Sequence, residues 1–169
     1  MHYSISQPQR SPWPVVSLSG RLPGPDATTK AVRDPRWHTL VSRLKALRKR
    51  GRRAVRIVDV NCGDGMLLIQ AVQQARTLGF LSIEGVGIDG DAQHIGDAQW
   101  RSRLLTDSAV GLEFHVGEPA AQLELECEFP ADIILYEAAS PVPQRLRDAL
   151  KFAGDFALRA RPPLAVARP

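Results

Sequence analysis

Residues 55–65 read Val-Arg-Ile-Val-Asp-Val-Asn-Cys-Gly-Asp-Gly, and this stretch decides how the chain folds. Val55 to Val60 form an apolar run of strand length, and Asn61 to Gly65 supply the residues of a tight turn. From about Asp64 to Leu78 the apolar residues Leu68, Ala71, Val72 and Ala75 then recur at helical spacing, until Gly79 closes the helix. Strand, glycine-containing turn and helix, in that order, predict the first half of a βαβ unit.

The same unit extends in both directions. Upstream, Asp34 offers a helix N-cap with Pro35 at the first helical position, and Trp37, Leu40, Val41, Leu44 and Leu47 make an apolar stripe that Gly51 ends. Downstream, Ile83 to Asp89 predict a second strand, and Asp91 caps a helix carrying Ile95, Ala98 and Leu105. In GLEFHVGE, residues 111–118, Leu112, Phe114 and Val116 alternate with Glu113 and His115, the pattern of a half-solvated edge strand. ADIILYEA, residues 131–138, is continuously apolar and reads as a central strand. Pro141 or Pro143 opens a further helix bearing Leu146, Ala149, Leu150 and Ala153, and PLAVARP, residues 163–169, offers a fifth strand between prolines. Such alternation predicts an α/β protein with a doubly wound, mostly parallel sheet and right-handed crossovers. Ligands of such sheets sit at the carboxyl ends of the strands, so the turn after the first strand is where chemistry is sought.

At 169 residues, 44% apolar and 24% charged, the chain fits one ordinary domain, read here as residues 34–169 behind a Pro-rich, flexible arm at 1–33 containing Pro8, Pro12, Pro14, Pro23 and Pro25. No stretch reaches the roughly 18 apolar residues of a membrane helix, and the N-terminus lacks the apolar run of a secretory signal, so the expected location is the cytoplasm, away from membranes. Cys62 and Cys127 lack metal-like spacing, and no metal site or disulfide is expected. Much of the net charge of +4 lies in RLKALRKRGRRAVR, residues 43–56, which either meets nucleic-acid phosphates or forms the solvated face and last turn of a helix. The run has no interleaved aromatics for stacking on bases, which favours the second reading.

Asp59, Asp64, Asp89 and Glu118 all fall at or just past strand C-termini. A rim of that kind repels a pyrophosphate and attracts a sulfonium or an ammonium, and its carboxylates accept hydrogen bonds from ribose hydroxyls. Gly63 and Gly65 let a ligand approach the backbone, yet Met66, Leu67 and Leu68 follow where a dinucleotide fingerprint needs its third glycine. NAD and FAD are disfavoured.

With VDVNCGDG and GIDGD in view, the chain resembles the class I S-adenosylmethionine-dependent methyltransferases. The resemblance covers roughly residues 35–156 and implies a Rossmann-like sheet ordered 3-2-1-4-5. It implies that Asp59, Asn61, Cys62, Gly63 and Gly65 form the first cofactor-binding turn, with Asp59 orienting the methionyl ammonium directly or through water. The residues alone leave open that Asp59 caps loop amides. Asp89, followed by Gly90, stands where that family binds both ribose hydroxyls. HVGE is similar to its third motif, which would set Gly117 and Glu118 beside the adenine amino group, although Glu118 also suits a cap for the next segment. ADIILYE is similar to its fourth, which would place Tyr136 and Glu137 near the transferred methyl as the catalytic candidates; both also read simply as the polar end of a strand.

Two departures accompany the likeness. The Asn/Asp-Pro-Pro-aromatic signature of many amino-group methyltransferases is absent, since Tyr136, Glu137, Ala138, Ala139 and Ser140 occupy that region. The family's usual last two strands are also missing, which predicts that a second copy or a larger partner covers the fifth-strand edge. The resemblance thus implies a methyltransferase using S-adenosyl-L-methionine on an unidentified acceptor. A non-catalytic binding or scaffold protein of the same fold, and an RNA-binding or RNA-modifying protein, are the alternatives.

Overall fold

The computed structural model describes residues 31–137 and 141–160. In chain order the elements are α1 (Trp37–Lys49), β1 (Ala54–Val60), α2 (Met66–Thr77), β2 (Ser82–Asp89), α3 (Ala92–Ser102), β3 (Val110–Val116), α4 (Pro119–Leu125), a short 3-10 turn (Glu126–Glu128), β4 (Ile133–Tyr136), α5 (Gln144–Phe152) and β5 (Ala157–Arg159). The five strands form one sheet ordered β3-β2-β1-β4-β5, with every neighbouring pair parallel. This is the doubly wound, Rossmann-like arrangement that the alternating pattern predicts.

Side-chain alternation along the strands decides which face each residue serves. Val55 and Ile57 of β1, with Ile83, Phe114, Ile133 and Leu135, pack under α1, α2 and α3. Val58, Val60, Val86, Ile88 and Ile134 pack on the opposite face with Ala120 and Leu123 of α4 and Leu146 and Ala149 of α5. Asp59 therefore faces the α1 side. The helices change sides between β1 and β4, so the loops leaving these two strands diverge and leave a crevice between them.

Strand β2 shows why its glycines matter. A Cβ on Gly87 would come within 2.4 Å of the Phe114 ring and 3.0 Å of the Cys62 sulfur, and one on Gly65 within 2.7 Å of the same ring. Phe114 thus wedges between the second strand and the first turn, and only hydrogen-sized side chains leave room for it.

Several boundaries differ from expectation. Helix α1 begins at Trp37 and has Arg36 as its N-cap residue, with no side-chain cap. Asp34 instead receives the Arg36 backbone N–H at 2.8 Å and closes a turn ahead of the helix. Helix α2 starts at Met66, after Gly65 in a left-handed conformation (φ 73°). The fifth strand is Ala157–Arg159, upstream of the expected 163–169, which lies outside the described residues; it borrows the end of the preceding segment because Phe156 packs against the core and delivers the chain to β4. The sequence reading also missed α4, a helix of seven residues whose Pro119 follows the capping Glu118. The edge position of β3, the central position of β4, the Asp91 cap on the Gln93 N–H and the helix after Pro143 agree with the reading. No helix among the described residues is long and apolar enough to cross a membrane.

Candidate functional site

At the crevice between β1 and β4 lies a cavity of about 300 Å³, lined by Ala31, Asp34, Arg36, Asn61, Cys62, Gly63, Asp64, Met66, Leu67, His94 and Glu137. Four of these come from the turn after β1, which the sequence singled out. The turn is built by local constraints: Asn61 (φ 58°), Gly63 (φ 54°) and Gly65 (φ 73°) are all left-handed, a conformation open to Asn and Gly and strained for most others. The Asn61 side-chain amide donates to the Glu137 carbonyl, and the Glu137 N–H donates to the Val60 carbonyl, so the ends of β1 and β4 are tied together beside the cavity.

Asp89 at the end of β2 holds the other side of this turn. One carboxylate oxygen accepts the Gly63 N–H at 2.8 Å and the other the Asp91 N–H at 2.9 Å, with the His94 ring 3.5 Å away. An ionised carboxylate offers about four lone-pair sites, so each oxygen keeps capacity for a further donor. Gly90 and Gly117 approach one another at the ends of β2 and β3, and the Gly117 N–H bonds the Asp89 carbonyl.

Asp59 is placed differently. It is 1% exposed, is not on the cavity wall, and neither of its oxygens has a hydrogen-bond partner among the described residues. Its nearest counter-charge is the Arg36 guanidinium, with Nη1 at 3.7 Å from Oδ1, an ion pair beyond hydrogen-bond reach. Burial pushes the Asp59 carboxyl up to about 7; Arg36 opposes that rise, while Asp34, Asp89 and Glu137 add to it. Arg36, itself nearly buried, is clamped by Asp34 through Nε at 3.0 Å and Nη2 at 2.9 Å. Burial disfavours its charge, but the bond to Asp34 and the fields of Asp59 and Glu137 more than offset this, and its pKa is raised. For Asp34, burial is likewise outweighed by the bonds from Arg36, and its carboxyl is held below the usual range.

Arg36 is the residue that sequence reasoning missed. It belongs to no motif and precedes Asp59 by a whole helix. The available signal was the Asp-Pro-Arg turn ahead of α1, which was read as a cap.

The remaining candidates are spread out. Glu118 caps α4, accepting the Ala120 and Ala121 N–H groups at 3.0 and 2.7 Å, and meets Arg145 of α5 at 3.4 Å. It is not on the cavity wall, and neither are Gly90 and Gly117. Tyr136 and Glu137 part company, Tyr136 packing among the α4 and α5 residues while Glu137 borders the cavity. Burial, with the charges of Asp59 and Asp89, pushes the Cys62 thiol well up, which makes it a poor nucleophile. No cluster of metal-ligating side chains occurs among the described residues.

The basic run at residues 43–56 lies along α1 and its exit, and much of it is engaged within the chain. Arg48 donates to the Leu78 and Arg52 carbonyls and stacks over Phe80, Arg52 pairs with Asp132, and Arg56 pairs with Glu84 and Glu126. Lys45, Lys49, Arg50 and Arg53 are exposed.

The sheet order, the switch between β1 and β4, and the glycine turn with an aspartate at the next strand end decide the architecture. It is a fold that solved methyltransferase structures share. Solved structures agree at the level of fold. The bifunctional kinase-methyltransferase WbdD matches with a TM-score of 0.56 at 18% identity, over 82% of this chain and 32% of that one. MNMC2 from Aquifex aeolicus matches with 0.54 at 16% identity, over 76% and 48%. A candidate caffeoyl-CoA O-methyltransferase from Staphylococcus aureus matches with 0.51 at 15% identity, over 70% and 53%. The chain therefore spans between about a third and about half of these proteins. No family profile and no curated protein matches it.

Proposed function

We propose that this chain binds S-adenosyl-L-methionine in the cavity between β1 and β4 and transfers its methyl group to an acceptor. The observation that carries the reading is the wall itself: among the described residues, Asp34, Asp64 and Glu137 outnumber Arg36 in an approximately 300 Å³ cavity at the topological switch point. Its size falls at the small end for ligand sites. The acidic excess supports a sulfonium and an ammonium rather than a pyrophosphate.

The residues present fit the group. Asp89 is not itself on the cavity wall but bonds the Gly63 N–H beside it and keeps lone-pair capacity on each oxygen for a ribose diol, while Asn61, Cys62 and Gly63 border the cavity. Gly90, Gly117 and Glu118, at the ends of β2 and β3, remain the proposed adenine side. When bound, the cofactor supplies an electrophilic methyl on sulfur. The chain's contribution is then alignment, which is worth up to roughly 7–11 kcal/mol when reacting atoms are held in line. Glu137 borders the cavity just past β4 and is the proposed base or orienting group for the acceptor; Tyr136 acts through the backbone that sets Glu137.

A second reading, a binding or scaffold protein on this fold, draws on the burial of Asp59 behind Arg36 and on the sheet edge at β5. Calorimetric titration with S-adenosylmethionine, with NAD as control, separates the two. Micromolar binding of the first alone supports the methyltransferase reading, and silence for both transfers the case to the scaffold.

A further inference from the structure

Strand β3 forms one edge of the sheet. The Ala109 carbonyl accepts the Ile83 N–H and the Gly117 N–H donates to the Asp89 carbonyl, so the odd-numbered residues of β3 bond to β2. The N–H and C=O groups of Leu112, Phe114 and Val116 therefore point away from the sheet. Among the described residues only the Phe114 carbonyl meets a partner there, the Gln99 side-chain amide at 3.1 Å. Such a row of open groups is a template for a further strand. Beside it, Ser102, Arg103, Leu105, Val110 and Leu112 line a cavity of about 270 Å³, and Val116, on the same face by the period of two, is 51% exposed. On the other face the side chains of His115 and Glu113 are 46% and 73% exposed and lie 3.5 Å apart.

We propose that the chain forms a twofold dimer in which β3 pairs antiparallel with β3 of a second copy, centred on Phe114 opposite Phe114. One register then uses every feature of the edge. The outward-bonding residues face one another, Leu112 stands opposite Val116 of the second copy, and Glu113 opposite His115 of the second copy. Each exposed Val116 reaches the mouth of the other copy's cavity, and each Glu113 carboxylate accepts an imidazole N–H across the strands. A lone charge on an edge strand deters pairing, whereas here each meets its complement. The next allowed registers set Glu113 against Glu113 or His115 against His115. Helix α3 lies over β2 and β3, so across the twofold axis the two α3 helices stand roughly 10 Å apart, within packing distance. The interface uses the edge opposite β5 and does not depend on any ligand of the β1–β4 cavity.

The test is sedimentation equilibrium of the full chain over a range of concentrations. An interface of this modest size predicts a dimer that dissociates on dilution. His115→Glu brings four carboxylates together and should weaken association by roughly tenfold or more. The charge swap E113K/H115E restores opposite charges in this register and should recover the dimer. Val116→Asp, which places a charge against Leu112 and the cavity, should also favour the monomer. These three side chains are exposed, and an unchanged Tm verifies that each variant folds. A monomer at every concentration overturns the proposal. So does a dimer that H115E and V116D leave intact, or a loss in H115E that the swap does not recover.

Discussion

The ends of β1 and β2 each present an aspartate on the same face of the same sheet, and the two are held in opposite ways. Asp89 is 13% exposed and receives two backbone N–H groups. Asp59 is fully buried and receives none, facing only a guanidinium across 3.7 Å. Hydrogen bonds fix the geometry around Asp89, whereas charge alone fixes that around Asp59. The difference teaches that an acidic residue at a strand end is not defined by its motif: what stands against it, here an arginine from outside the motif, decides how it is held.

The largest effect should come from breaking the charge-held side. Above pH 7, where Asp59 is ionised, Arg36→Met leaves it an uncompensated buried charge and is expected to destabilise the fold by about 3–5 kcal/mol in denaturant titration. Removing both members in R36M/D59N should restore much of that loss, because the desolvation penalty goes with the pair. Equal destabilisation by the single and double variants would contradict the pairing.

The same side should respond to pH. Asp59 is raised from an ordinary carboxylate value to about 7 in the folded state, so between roughly pH 4 and 7 the folded chain binds a proton that the unfolded chain does not. Its contribution is fully present below pH 4 and is lost as the pH rises through 7, a change of up to roughly 4 kcal/mol. Asp59→Asn should flatten this part of the stability profile and gain most over the native chain near pH 8. A native profile that rises across this window would show that Arg36 holds Asp59 ionised.

The hydrogen-bonded side should behave as a clamp. Asp89→Ala strands the Gly63 and Asp91 N–H groups and is expected to cost about 2–3 kcal/mol, along with adenosyl-ligand binding. Hydrogen exchange at the Gly63 amide should accelerate in this variant and remain unchanged in Asp59→Asn, which separates the two aspartates directly.

How much of this could be read in the sequence follows the same division. The sheet, its order, and the turn at Asn61 to Gly65 were legible because they depend on local patterns: apolar runs of strand length, glycines at left-handed positions, and an aspartate about 20 residues on. Asp91 as a cap was legible for the same reason. The Arg36–Asp59 pair was not, since its members lie on different elements and meet only when α1 packs on the sheet. Strand β5 was misplaced because PLAVARP has the composition of a strand, whereas the register is set by Phe156 and by pairing with β4. Tyr136 and Glu137 looked equivalent in sequence, but Tyr136 ends β4 against the α4 and α5 residues while Glu137 lies just past the strand at the cavity.

The smallest expected effect sharpens the comparison inside the turn itself. Gly63 and Gly65 both have positive φ, so alanine at either position costs about 1–2 kcal/mol of backbone strain. At Gly63 that is the whole cost set by the described residues, since none of them lies within 4 Å of the added carbon. At Gly65 the carbon would stand 2.7 Å from the Phe114 ring and 2.8 Å from the Ala98 methyl, so the wedge under the turn must shift as well. Gly65→Ala should therefore exceed Gly63→Ala by about 1–3 kcal/mol in denaturant titration. Pairing Gly65→Ala with Phe114→Leu, which shortens the wedge, should recover part of the excess and leave the cost at Gly63 unchanged. Equal costs at the two glycines would mean that Phe114 moves freely and that the turn is held by Asp89 alone.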